Sequence, residues 1–165
     1  MISATFVIST TVFIIVFWFF YTKFYGAEYQ AVPSVVLKRM IEFAGLKKKD
    51  VVYDLGCGNG KILLEAAKFC SKAVGIEIDP LRVLIAKIKA RKMGNVEIVR
   101  GNLFSHNMDD ADVVFIFLRQ KTNDKLMEKF REELGKGARI VSHCWTLDLK
   151  PYKADEKLKV YAYKL

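Results

Sequence analysis

Val51-Val52-Tyr53-Asp54-Leu55-Gly56-Cys57-Gly58-Asn59-Gly60 is the stretch whose reading decides the fold. A short apolar run ends in an acid and then turns through glycines at alternate positions. Residues 61–70 follow with helical spacing. The pattern predicts a buried parallel strand, a tight loop and a helix start. Gly56, Gly58 and Gly60 carry no Cβ, so a ligand can lie against bare backbone. Asp54 gives that ligand an acceptor, which suits ammonium or hydroxyl groups better than a pyrophosphate.

A second acid, Glu77, lies 23 residues after Asp54, at the end of the apolar run Ala73 to Ile78. An acid about 20 residues past a glycine loop takes hydrogen bonds from ribose hydroxyls. Two rival loops fail. A Walker A loop needs Gly-Lys-Ser/Thr after four spacer residues, which is absent. A dinucleotide loop reads G-x-G-x-x-G, and Lys61 stands where its third glycine belongs. What remains is D-x-G-x-G-x-G with an acid after the next strand.

On these residues the chain resembles the class I S-adenosylmethionine-dependent methyltransferases. The resemblance narrows at Tyr29-Gln30-Ala31-Val32-Pro33-Ser34, which is similar to the Tyr-x-x-x-Pro-Thr/Ser lead-in of a small group of protein lysine methyltransferases. That group includes archaeal broad-specificity enzymes and the membrane-anchored mitochondrial enzymes acting on ATP synthase subunit c and the adenine nucleotide translocase. Val-Gly-Ile-Glu-Ile-Asp-Pro at 74–80, Gly-Asn-Leu-Phe at 101–104 and Gly-Ala-Arg-Ile-Val-Ser-His at 137–143 extend the likeness over roughly residues 29–165. It implies that Asp54, Gly56, Gly58 and Gly60 hold the methionine portion of S-adenosyl-L-methionine, with Asn59 shaping the turn. It further implies Glu77 at the ribose, Asn102 beside the adenine and Tyr29 closing over the cofactor. The Asp/Asn-Pro-Pro-Tyr motif of adenine and glutamine amino-methyltransferases is missing. Phe117-Leu118-Arg119-Gln120 stands in its place, so an apolar channel lined by Phe117 and Leu118 is expected, with His143 a candidate polar neighbour. No catalytic residue is assigned.

The rest of the chain alternates strands and helices, which predicts an α/β, Rossmann-like, doubly wound and mostly parallel sheet. Ser34 is read as an N-cap, with Val36, Leu37, Met40, Ile41 and Ala44 along one helix face. Asp79-Pro80 opens a helix whose stripe Leu81, Leu84, Ile85 and Ile88 is read as facing inward. Ala111 to Leu118 reads as a central strand, residues 123–134 as a helix stopped by Gly135, and Lys157 to Lys164 as a final antiparallel edge strand.

The N-terminus makes a separate statement. Met1 to Thr22 holds no charged side chain, and Thr5 to Tyr21 is almost wholly Phe, Val, Ile and Trp. About 20 apolar residues span a bilayer as a helix. A signal peptide would show a basic start and a small-residue cleavage site, and neither precedes Lys23. The expectation is a transmembrane anchor over residues 1–25, with Trp18, Tyr21 and Tyr25 at the interface, and one methyltransferase domain over 26–165. Lys23, Lys38 and Arg39 follow the span, so the domain is expected to face the cytoplasm from a single-pass protein.

Net charge is +9, with 27 Lys and Arg against 18 Asp and Glu. Without an aromatic-interleaved basic stripe, a lysine-rich surface ranks above a nucleic-acid partner. Cys57, Cys70 and Cys144 form no Cys-x-x-Cys pair, and two histidines complete no zinc site. The functional expectation is a membrane-tethered protein lysine N-methyltransferase acting on membrane-associated protein substrates. Methylation of a lipid, quinone or other small hydrophobic molecule, and a non-catalytic cofactor-binding scaffold, are the alternatives.

Overall fold

The computed structural model describes residues 4–25 and 31–165; the side chains at 4, 15 and 18–25 are outside that description. The chain divides into two compact units, Met1–Gln30 and Ala31–Leu165. In the first, helix α1 spans Ala4–Tyr25. The hydroxyls of Thr10 and Thr11 donate back to the carbonyls of Phe6 (2.9 Å) and Val7 (2.8 Å).

The expected single-pass anchor, and with it the membrane location and the cytoplasm-facing domain, is corrected here. Among the described residues no helix is long and apolar enough to cross a membrane. Within α1, Ser9, Thr10 and Thr11 interrupt the apolar run with three hydroxyl side chains. The interfacial reading of Trp18, Tyr21 and Tyr25 falls outside the described side chains, and Tyr29 lies outside the described residues.

The second unit holds helix α2 (Ser34–Ala44), strand β1 (Val51–Leu55), α3 (Lys61–Ala66), β2 (Lys72–Glu77), α4 (Pro80–Ala90), β3 (Val96–Arg100), β4 (Val113–Ile116), α5 (Gln120–Glu133), β5 (Arg139–His143), β6 (Lys153–Asp155) and β7 (Val160–Lys164). They form a seven-stranded Rossmann-like sheet in the order β3-β2-β1-β4-β5-β7-β6. β1 through β5 pair in parallel, and β7 pairs antiparallel with both β5 and β6. The order reverses between β1 and β4, the switch point beside which doubly wound sheets place their ligands.

Alternate strand residues serve opposite faces. Val114 and Ile116 of β4 pack with Leu126, Met127 and Phe130 of α5. Val113 and Phe115 pack with Val36, Met40 and Phe43 of α2 and Ile62 of α3. α2 is pinned at its C-terminus by Arg139 of β5. That guanidinium donates to the carbonyls of Ala44 (2.5 Å) and Gly45 (2.6 Å) and to Asp50 Oδ2 (2.6 Å). Asp50 is buried and also accepts from the Lys47 N–H at 2.8 Å.

Three expectations change. Ser34 is the first helical residue rather than the cap; Pro33 occupies the cap position without a side-chain bond. In α4 the apolar stripe faces outward: Leu81, Leu84, Ile85 and Ile88 are exposed, while Val83, Ala86 and Ala90 are buried. These smaller side chains pack with Ala73 and Ile98 of β2 and β3, and their size lets the helix lie close on the sheet. Finally, β7 is not the sheet edge, because the three-residue β6 pairs outside it.

Candidate active site

The loop after β1 is built from backbone turns that side chains would spoil. Gly56, Gly58 and Gly60 have φ of +76°, +54° and +82°, in the left-handed region that glycine enters without cost. At Gly56 space is lacking as well: a Cβ would sit 2.8 Å from Leu118 Cδ2. The Gly56 and Cys57 N–H groups donate to the Ile76 carbonyl at 2.8 and 3.0 Å, fastening the loop to the end of β2. Gly60 takes the cap position before α3, with Leu64 N–H donating to the Gly60 carbonyl at 2.8 Å.

Glu77 closes this arrangement from the neighbouring strand. Its Oε2 accepts the Gly58 N–H at 2.9 Å, and its Oε1 accepts the N–H groups of Ile78 and Asp79, each at 2.9 Å. The carboxylate is buried and ties the glycine loop to the start of α4. A carboxylate offers about four acceptor positions, so one on Oε2 remains. Asp79 caps α4 by accepting from the Leu81 and Arg82 N–H groups.

Asp54 is the unusual member. It is 2% exposed, and its Oδ2 has no hydrogen-bond partner. Burial pushes its carboxyl up to about 7; the Leu63 backbone N–H opposes the rise and the Glu77 charge adds to it. A buried acceptor without a donor is costly, and a donor or cation reaching Oδ2 would relieve that cost. Cys57, in the same loop, is buried and its thiol is pushed strongly upward, which makes it a poor nucleophile.

Asn102, after β3, is exposed, and its Oδ1 accepts the Phe104 N–H at 3.0 Å, leaving the side-chain amide donor outward in a turn. Asn59 is half-buried, and its carbonyl accepts from Lys89 Nζ at 3.4 Å. The structure thus brings Asp54, Gly56, Gly58, Asn59, Gly60 and Glu77 together at the carboxyl ends of β1 and β2. One contributor escapes the sequence reading. At Gly75, a Cβ would meet Leu63 Cδ2 at 2.6 Å and Cys57 Sγ at 2.8 Å, so this glycine lets the loop and α3 lie on β2. Leu118, expected to line an apolar channel, closes over Gly56. The one available signal was Gly75 itself, two residues before Glu77 within an otherwise apolar strand.

The model of the ANTKMT methyltransferase domain matches residues 54–153. The chain belongs to that methyltransferase family. It is 39% identical over 137 residues to a protein-lysine N-methyltransferase of Saccharolobus islandicus, covering 80% of this chain and 84% of the relative. Against a crystal structure of an RNA methyltransferase from Salinibacter ruber in complex with S-adenosyl-L-homocysteine, the TM-score is 0.77 at 35% identity. That match covers 82% of this chain and 93% of the other. A ribosomal RNA small subunit methyltransferase A of Methanosarcina barkeri, given as probable, is 33% identical over 50% of this chain but only 29% of its own length. The protein is an S-adenosyl-L-methionine-dependent methyltransferase with the class I fold.

Proposed function

We propose that the chain methylates lysine side chains of protein substrates. The observation that carries this reading is the likeness to a protein-lysine N-methyltransferase over most of both chains. The residues beside the glycine loop support it. Phe117 and Leu118 follow β4 where amino-methyltransferases of nucleobases carry Asp/Asn-Pro-Pro-Tyr, and Leu118 is buried against the loop. An apolar wall favours a neutral amine over an ammonium by desolvation.

In this reading Asp54 Oδ2 takes the cofactor's ammonium, the backbone around Gly56, Gly58 and Gly60 lies along its methionine portion, Glu77 takes ribose and Asn102 stands by the adenine. Asn59 holds the turn. The orphaned Asp54 oxygen and the Cβ-free cradle fit such a ligand. When bound, the cofactor supplies an already activated methyl group. The work left to the protein is to align a neutral amine and keep water out.

A second reading, RNA as substrate, draws on the 35% identity to the Salinibacter ruber RNA methyltransferase and the net charge of +9. Labelled S-adenosylmethionine, offered with cell protein, RNA and an organic-extractable fraction, separates the readings. Label in protein is expected. Label confined to RNA would replace the lysine reading, and label confined to the organic phase would direct attention to a small hydrophobic substrate.

A further inference from the structure

Beyond the glycine loop, the carboxyl edge carries a second organised group, at the end of β5. His143 is buried at 7% exposure, and its ring packs on Phe117 with centroids 4.5 Å apart at 49°. His143 thus stands at the same carboxyl edge of the sheet as the glycine loop, on β5, two strands away from β1.

The backbone around His143 is held in an uncommon form. Cys144 and Lys159 are the two non-glycine residues with positive φ among the described residues, at +67° and +50°. Both lie just beyond the β5–β7 pairing, where His143 is opposite Val160. Their conformations converge on one atom: the Lys159 carbonyl accepts the Cys144 N–H at 2.8 Å and lies 3.1 Å from His143 Nδ1. Such outliers persist where surrounding structure enforces them and concentrate at functional sites.

This contact fixes the tautomer. A carbonyl oxygen only accepts, so Nδ1 carries the proton and, in the neutral ring, Nε2 carries a lone pair. Nε2 faces the Cys144 sulfur at 3.5 Å. Burial raises the Cys144 thiol, which keeps its proton and acts as a weak donor.

Resting on the lysine reading, we infer that His143 Nε2 accepts the proton that the target lysine ammonium must lose. One proton passes from the ammonium to Nε2. The freed nitrogen lone pair forms the new N–CH₃ bond as the S–CH₃ bond breaks, and the electrons of that bond remain on sulfur. The methylated amine keeps one positive charge, and Nε2 returns its proton to solvent.

The groups acting on the imidazole suit the task. Burial lowers its pKa below 6.5, backbone carbonyls at Lys159 and Leu158 oppose this, and the Lys159 charge lowers it further. Phe117, on the β4 side, is uncharged, and Cys144 stays protonated. His143 is thus neutral at neutral pH.

Two measurements test the inference. The first uses the unmodified protein: imidazole nitrogen shifts, resolved from those of His106 by a His106→Gln variant, read the tautomer and pKa of His143. A neutral Nδ1–H form with a pKa below 6.5 is expected; an Nε2–H form overturns the inference. The second is the pH profile of kcat/KM with a set of unstructured peptides, each carrying one lysine. With His143 as acceptor, the profile is flat from about pH 7 to about pH 9, because the lysine, of reference pKa about 10.4, binds as ammonium. In His143→Gln only the free neutral amine reacts, so kcat/KM rises about tenfold per pH unit over the same range. A wild-type profile already rising in that way, or a variant slowed by one constant factor at every pH, overturns the proton role while leaving lysine methylation intact. Peptides unlabelled at every pH overturn the lysine reading and the proton role together.

Discussion

Asp54→Asn isolates the charge on which the proposed cofactor site depends. In the folded protein the Asp54 carboxyl is raised from 3.8 to about 7, by burial first. Because the folded-state value lies above the unfolded one, the folded chain binds more protons between those pH values, and stability falls as pH rises through the window. Three units at about 1.36 kcal/mol each amount to about 4 kcal/mol lost between pH 4 and pH 8. Asparagine does not ionise and escapes this loss. Its amide at the Oδ2 position carries a pH-independent cost of about 1–3 kcal/mol for an unmet hydrogen bond. The stability of the variant minus that of wild type is therefore expected to shift by about 4 kcal/mol in the variant's favour from pH 4 to pH 8. Urea unfolding followed by circular dichroism at a series of pH values measures it. A difference constant to within about 1 kcal/mol would refute the reasoning, since extrapolated stabilities carry errors of that order. The stabilised variant should lose affinity for the cofactor, by about 10–150-fold for a hydrogen bond to a charged group. The site would then hold a destabilising charge that its ligand neutralises.

The same residue sets the pH dependence of binding. Wild-type affinity for S-adenosylmethionine should fall as pH drops below about 7, with one proton released per ligand bound, seen as buffer-dependent heats in calorimetry. Asp50→Ala removes the buried carboxylate that pairs with the half-buried Arg139 guanidinium and accepts the Lys47 N–H, and should cost about 1–3 kcal/mol by chemical denaturation. Gly75→Val places side-chain atoms where even a Cβ would be 2.6 Å from Leu63, so a loss of about 1–3 kcal/mol and weaker cofactor binding are expected. Leu84→Gln, on the outward face of α4, should change stability by no more than about 0.5 kcal/mol; a loss of several kcal/mol would restore the inward orientation of that stripe.

The parts of the fold legible in the sequence were those where one physical constraint dominated. Val51 to Gly60 had a single reading because glycines at alternate positions after a buried strand admit few backbones, and the structure bends them as expected. Ile62, Leu63, Ala66 and Ala67 are buried as their spacing required. α4 was misread because two apolar stripes share the helix and the larger one was taken as the core face. A helix lying close on strands buries its small residues, here Val83, Ala86 and Ala90. β6 was missed because Lys153-Ala154-Asp155 is too short and polar to show alternation. At the site, Asp54 and Glu77 were visible from their spacing, but their division of labour was not. Glu77 is largely occupied by three backbone N–H groups, whereas Asp54 keeps an oxygen unpartnered. The Lys159 carbonyl that orients His143 lies on the other side of a strand pairing, which sequence spacing does not reveal.

Site-resolved mass spectrometry of cell proteins, incubated with this enzyme and isotopically labelled S-adenosylmethionine, tests lysine methylation most directly. Labelled methyl groups on lysine Nζ, strongly reduced with the Asp54→Asn variant at a cofactor concentration near the wild-type Kd, are predicted. Label on RNA with every protein lysine unlabelled, from an enzyme that still binds the cofactor, would contradict it.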